Sequence, residues 1–208
     1  MRIAFLGDSL TEGWPGAAFF LLLMRRLPWH DLVNCGCAGD TVSDLRTRMR
    51  SEGLERVDLA FVWVGVNDAL LDAWDADEDR NGGISSMRLA RLRDDYAALV
   101  EWTEARAARL VLVRPLILDG DGSLWEERAA EIGDAIAELA AAHGSCRTLD
   151  LRPSFAGARA AGGGPFTIDG VHFTDAGADV VATAFAGVIA ELAADARGDA
   201  GDGPSSGD

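Results

Sequence analysis

Leu59-Ala-Phe-Val-Trp-Val64 is an unbroken apolar run, rich in β-branched and aromatic residues and closed by Gly65. A run this short and this continuous predicts a strand buried on both faces, as in a parallel sheet covered by helices. The same signal recurs to either side of it. Ile3-Ala-Phe-Leu6 ends at Gly7-Asp8, and Leu32-Val-Asn-Cys35 ends at Gly36. Leu110-Val-Leu-Val113 is stopped by Pro115, and Arg147-Thr-Leu-Asp-Leu151 forms a fifth candidate. Helical patterns separate them: Ala17 to Arg26, Ser43 to Arg50 with Ser43 as the cap, Ser86 to Ala108, Leu124 to Ala142, and Thr174 to Ala194 with Thr174 or Asp175 near its cap. Five strands alternating with helices predict an α/β fold with a parallel sheet between helical layers. In such a sheet, ligands bind beyond the carboxyl ends of the strands, which directs attention to the turns after Leu6, Cys35, Val64, Val113 and Leu151.

The 208 residues suit one domain, expected over residues 1–194. Residues 195–208 are mostly Gly, Asp, Ala and Ser with nothing to bury, and read as a disordered tail. The net charge of -15 repels nucleic acid and anionic membrane surfaces, so neither is expected as a partner. All 19 basic residues are Arg. A chain without Lys has no Schiff-base lysine, no Walker A loop, no kinase ATP lysine and no Ser-x-x-Lys nucleophile. Cys35, Cys37 and Cys146 are too few for a disulfide framework and read as small buried hydrophobes. No apolar run reaches the roughly 18 residues of a membrane span, and a folded-looking strand starts at Arg2, where a signal peptide would have a basic start and an apolar run before the fold; a leader removed earlier is the alternative. The expectation is a cytoplasmic protein with no membrane span.

Elimination narrows the chemistry. His30 precedes the second strand and belongs on the edge away from the ligand side. His143 ends a helix, where the dipole already favours a cation. His172 lies in Asp169-Gly-Val-His172, between the last strand and the last helix. On a turn opened by Gly170, the Asp169 carboxylate can fold back to take the Nδ1 proton and leave Nε2 free as a base. The same spacing also suits a structural surface pair. Ser9 follows the first strand in Gly7-Asp8-Ser9-Leu10, where it is a nucleophile candidate or a helix cap. The turn Asn34-Cys-Gly36-Cys-Ala-Gly39 carries glycines that let backbone N–H groups approach a ligand, and Gly65-Val-Asn67-Asp68 supplies an amide able to donate to an oxyanion. Asp8 adjoins the serine and is expected to hold the turn by accepting backbone N–H groups.

Taken together, these four turns resemble the GDSL or SGNH hydrolase superfamily: Gly7-Asp8-Ser9-Leu10, Gly36-x-x-Gly39, Gly65-x-Asn67-Asp68 and Asp169-x-x-His172, in the family's order and over nearly the whole chain except the tail. The resemblance implies a flavodoxin-like three-layer α/β/α sandwich with strand order 2-1-3-4-5. It implies Ser9 as nucleophile, His172 as base and then acid, and Asp169 as its orienting carboxylate. The oxyanion hole would be the N–H of Ser9, the N–H of Gly39 and the side-chain amide of Asn67. It implies hydrolysis of small-molecule esters through an acyl-enzyme, with no cofactor and no catalytic metal. Small or medium acyl chains are favoured, because the chain leaves little length for a lid. Sugar deacetylation, lysophospholipid or thioester hydrolysis, and a non-catalytic binding module on the same fold are the alternatives. Flavin or nucleotide binding is disfavoured, because the first turn lacks Gly-x-Gly-x-x-Gly.

The acidic segment Leu70 to Ser86 is expected to be a loop over the active edge. Counted from Asp77, it resembles most of an EF-hand loop, with Asp77, Asp79, Asn81, Gly82, Ile84 and Ser85 in place, but Arg88 stands where the bidentate Glu belongs. A calcium site and a solvated acidic loop are the two readings. Trp14, Val66, Leu70, Trp74, Leu118 and Val171 are candidates to line the acyl pocket, each with ordinary packing as its alternative.

Overall fold

The computed structural model describes residues 1–79, 86–118, 123–144 and 146–199. Its elements run β1 (Arg2–Gly7), α1 (Ser9–Glu12), α2 (Phe19–Arg26), β2 (Asp31–Gly36), α3 (Val42–Glu52), β3 (Leu59–Trp63), α4 (Val66–Asp79), α5 (Ser86–Glu104), β4 (Leu110–Val113), α6 (Leu124–Ala142), β5 (Cys146–Leu149), α7 (Arg152–Ala160) and α8 (Asp175–Asp199). The five strands form one parallel sheet in the order β2-β1-β3-β4-β5. This is the expected α/β sandwich. Helices α2 and α8 pack together with α7 alongside, while α3, α5 and α6 pack in sequence and α4 lies on α6.

Burial follows position in the sheet. Every residue of β3 and β4 is buried, whereas β2 and β5, at the two edges, are only half covered. Phe5 and Phe61 are register partners on β1 and β3, with rings 5.0 Å apart. Phe185 from α8 stands edge-on to Phe61 at 4.7 Å and stacks on Phe19 of α2 at 5.1 Å. This cluster fixes both helices against one face of the sheet through apolar burial and offset ring contacts. Helix α8 is long and apolar enough by composition to cross a membrane, with a mean hydropathy of 1.5. In the fold, its Ala178, Val181, Ala182, Phe185, Ile189 and Leu192 are buried in the core, and the helix packs as a core element.

Several sequence expectations shift. The cap of α3 is Thr41 rather than Ser43. Thr41 accepts the Asp44 N–H while the Asp44 carboxylate accepts the Thr41 N–H, a reciprocal capping box. The predicted acidic loop begins as helix α4. Val66, Ala69 and Ala73 form a buried stripe at helical spacing, which holds the segment as a helix against the core. Its Asp72 faces inward and is met by Arg128 Nε at 3.0 Å and by Arg88 Nη1 at 3.3 Å. Arg88 therefore stands in α5 as the partner of a carboxylate. The remainder of the calcium-like loop, residues 80–85, lies outside the described residues. Helix α7, absent from the expected elements, carries Pro153 in its first turn and buries Phe155 against Phe166 and Phe173. Helix α8 continues to Asp199, past the expected end of the domain at 194, and residues 200–208 of the tail lie outside the described residues.

Candidate active site

The turns at the carboxyl ends of β1, β2 and β3 interlock. Asp8 caps α1: its Oδ1 accepts the Leu10 N–H at 3.0 Å, as expected. Ser9 is the first residue of this helix and 5% exposed. As a first-turn residue, its N–H has no acceptor within the helix. Helix α1 rests directly on the end of β2. An added Cβ at Gly36 would fall 2.2 Å from Glu12 N and 2.6 Å from Thr11 C, so only glycine permits this approach. Asn34 fastens the contact by donating to the Thr11 carbonyl at 2.8 Å, and Glu12 reaches back to accept the Ala38 N–H at 2.7 Å. At Gly39 (φ 85°) a Cβ would meet nothing within 4 Å, so this backbone stands open.

Beyond β3, Asn67 donates from Nδ2 to the Asp40 carbonyl at 2.9 Å, and Asp68 Oδ2 accepts the Val42 N–H at 3.0 Å. The third turn is thus tied to the second at Asn67 and at Asp68. Asp40 itself meets Arg48 through Nε at 2.9 Å and Nη2 at 2.8 Å.

The last turn closes the site. Thr167 and Phe173 pair as an antiparallel bridge, and Asp169 folds back within it. Its Oδ1 accepts the N–H groups of Val171 and His172 at 3.0 and 2.8 Å. Its Oδ2 lies 2.7 Å from His172 Nδ1, and His172 Nε2 lies 3.1 Å from Ser9 Oγ. An ionised carboxylate only accepts, so the proton belongs on Nδ1 and the lone pair on Nε2 faces the serine hydroxyl. Residues 163 positions apart in sequence meet here within hydrogen-bond reach.

The carboxylates differ in state. Burial raises the Asp169 carboxyl, but hydrogen bonds from the His172 ring and from the His172 and Val171 N–H groups outweigh it, and Asp169 titrates below the usual range. Asp8 is the reverse case: burial pushes it up to about 7, against the pull of the Leu10 N–H. Loss of water likewise raises Asp68 to about 6, opposed by the Val42 N–H. Burial also raises Asp40, with Arg48 working against it.

The pocket candidates divide. Trp14 is exposed on the segment after α1. This segment lies against the histidine turn, because the Ala17 N–H donates to the Phe173 carbonyl at 2.8 Å. Val171 adjoins His172, and Leu118 donates its N–H to the Gly170 carbonyl at 2.8 Å, so both belong to the same rim. Val66 is 2% exposed and Leu70 packs against the core, which makes them supports of α4. Trp74 is exposed at the same helical face as Asn67, two turns along. With Ala73, Ser123, Leu124 and Trp125 it lines a cleft of about 550 Å³. Trp125 was not among the sequence candidates. Its position, two residues after the cap Ser123 of α6, was the available signal. Arg48 also went unseen, since nothing in its own residue type distinguishes it from the other arginines.

A family model described as the GDSL-like lipase/acylhydrolase family matches residues 5–180. Among solved structures, the acetyl xylan esterase AlAXEase is 22% identical with a TM-score of 0.73, over 91% of this chain and 100% of that one. The lipase/acylhydrolase from Enterococcus faecalis is 24% identical with a TM-score of 0.69, over 88% and 92%. A member of the lipolytic G-D-S-L family from Veillonella parvula DSM 2008 is 16% identical with a TM-score of 0.70, over 88% and 95%. At these identities the likeness is one of fold. No curated protein matches the chain.

Proposed function

The chain belongs to the GDSL-like lipase/acylhydrolase family and is an ester-hydrolysing enzyme, and we propose that it cleaves carboxylic esters of small or medium acyl chains with Ser9 as nucleophile, His172 as general base and acid, and Asp169 as the carboxylate that orients the imidazole. The observation that carries this reading is the continuous path from Asp169 Oδ2 through the His172 ring to Ser9 Oγ, with links of 2.7 and 3.1 Å.

A serine hydroxyl is a weak nucleophile until a base takes its proton. In the proposed step, Ser9 Oγ bonds to the acyl carbon while its proton passes to His172 Nε2. The carbonyl oxygen becomes an oxyanion, held by the N–H groups of Ser9 and Gly39 and by the Asn67 amide. Asn67 spends one N–H on the Asp40 carbonyl, which leaves its second for the oxyanion. The intermediate collapses as His172 returns the proton to the leaving alcohol. Water then attacks the acyl-serine with His172 again as base, releasing the acid and restoring Ser9. The imidazolium formed in each half is stabilised by Asp169, which stays ionised because its pKa is depressed.

In this reading the chain from β1 through helix α8 forms a single catalytic domain. The Trp74–Trp125 cleft would take the apolar part of the ester. Three cysteines, too few for a disulfide framework, accord with a cytoplasmic enzyme. The test is hydrolysis of p-nitrophenyl acetate: Ser9→Ala is expected to lose nearly all activity with its melting temperature unchanged, and wild-type rates in that variant would overturn the assignment.

A further inference from the structure

The three proposed oxyanion donors stand on three separate turns, and the sheet pairing that aligns their strands ends at Gly7, Gly36 and Trp63. Their spacing therefore depends on contacts beyond the sheet. One side chain, Arg48, reaches three acceptors among them. Arg48, on α3, donates from Nη2 to the Cys35 carbonyl at 2.8 Å and to the Gly7 carbonyl at 3.4 Å, at the ends of β2 and β1. The same guanidinium holds Asp40 Oδ2 through Nε and Nη2 at 2.9 and 2.8 Å. Asp40 follows Gly39, and its backbone carbonyl accepts Asn67 Nδ2 at 2.9 Å. The pair is well shielded, with side chains 18% and 10% exposed.

We infer that Arg48 and Asp40 are positioning residues that set the spacing of the Ser9, Gly39 and Asn67 donors; the inference rests on the proposed oxyanion hole. Arg48 links the turn after β1 to the turn after β2, and Asp40 passes the constraint to Asn67. The planar guanidinium suits this work because its N–H groups point in fixed directions and meet several acceptors at once. An ammonium carries its three donors on one nitrogen at the end of a flexible stem, so it cannot match acceptors set apart along the guanidinium fork. Negative charge on the acyl oxygen develops fully only in the transition state, so misplaced donors slow the chemical step and leave substrate binding nearly unchanged. Misplacing a catalytic group by about 1 Å costs on the order of 100-fold in rate.

The experiment compares wild type, Arg48→Lys, Asp40→Ala and the double variant. The readouts are kcat and KM for p-nitrophenyl acetate, inhibition by a trifluoromethyl ketone that forms a tetrahedral adduct with the serine, and melting temperature. Arg48→Lys is expected to lose about 10- to 100-fold in kcat with KM within about threefold. Affinity for the ketone should fall in the same proportion as kcat. Asp40→Ala should lose in the same direction, and the double variant should lose less than the product of the two single losses, because both substitutions break the Arg48–Asp40 contact. Unchanged kcat in the variants, a kcat loss without the matching loss of ketone affinity, or additive losses would each overturn the inference. If Arg48→Lys does not fold, Asp40→Ala carries the test by the kcat and ketone comparison. Activity retained in Ser9→Ala would instead overturn the reading of the site itself, so the two failures are distinguishable.

Discussion

Replacing Asp8 by Asn is expected to stabilise the protein above pH 7 and to change little at pH 4. Asp8 is 1% exposed, and burial lifts its carboxyl from an ordinary 3.8 to about 7. Between these two values the folded protein holds a proton that the unfolded chain has released. Stability therefore falls as pH rises through this window, by about 1.36 kcal/mol per pH unit at most, and the loss is complete above the folded-state value. The full span amounts to about 4 kcal/mol; nearby carboxylates titrating with Asp8 reduce this to roughly 2–4 kcal/mol. Asn cannot ionise, yet its Oδ1 still accepts the Leu10 N–H that caps α1. Urea unfolding of both proteins at pH 4.5, 6 and 8 measures the difference. The variant should gain on wild type steadily with pH, and by pH 8 its melting temperature should stand several degrees higher. A stability difference that is the same at all three pH values would refute the argument that Asp8 is buried as the neutral acid.

Other consequences follow from single contacts. Asn67→Ala removes one proposed oxyanion donor and should lower kcat by about 10²- to 10³-fold with KM little changed, as read from steady-state kinetics. Phe185→Ala opens a cavity between α8, Phe61 and Phe19 and should cost about 3–5 kcal/mol in denaturant unfolding. Trp74→Ala should raise KM for p-nitrophenyl octanoate about tenfold while leaving the acetate ester within about twofold. This corresponds to roughly 50 Å² of lost apolar contact with the longer chain.

The sheet was legible because β1, β3 and β4 are buried on both faces and so read as continuous apolar runs. Edge strand β5 was placed a residue late and ended too far along, since only its half-covered residues mark it. Helix α4 was hidden by its acids. Periodicity there rests on Val66, Ala69 and Ala73, and small residues give a weak signal beside Asp72, Asp75, Asp77, Glu78 and Asp79. The meeting of Ser9, His172 and Asp169 was legible from motif letters because Ser9 directly follows β1 and the Asp169–His172 turn directly precedes α8, whose Phe185 packs on Phe5 of β1. Val66 illustrates the opposite case. Its position beside Asn67 suggested a pocket wall, but the helix turns it into the core. The Arg48–Asp40 contact leaves no mark in the sequence, because it depends on how α3 packs under two strand ends, which no local pattern encodes.

Ser9 Oγ is the atom proposed to take the acyl group. Mass spectrometry of the peptides from protein treated with a fluorophosphonate probe measures this directly. One adduct per chain is expected, on the peptide containing Ser9, forming at least about 100-fold more slowly in His172→Ala. An adduct on another residue, or equal labelling rates in wild type and His172→Ala, would contradict it.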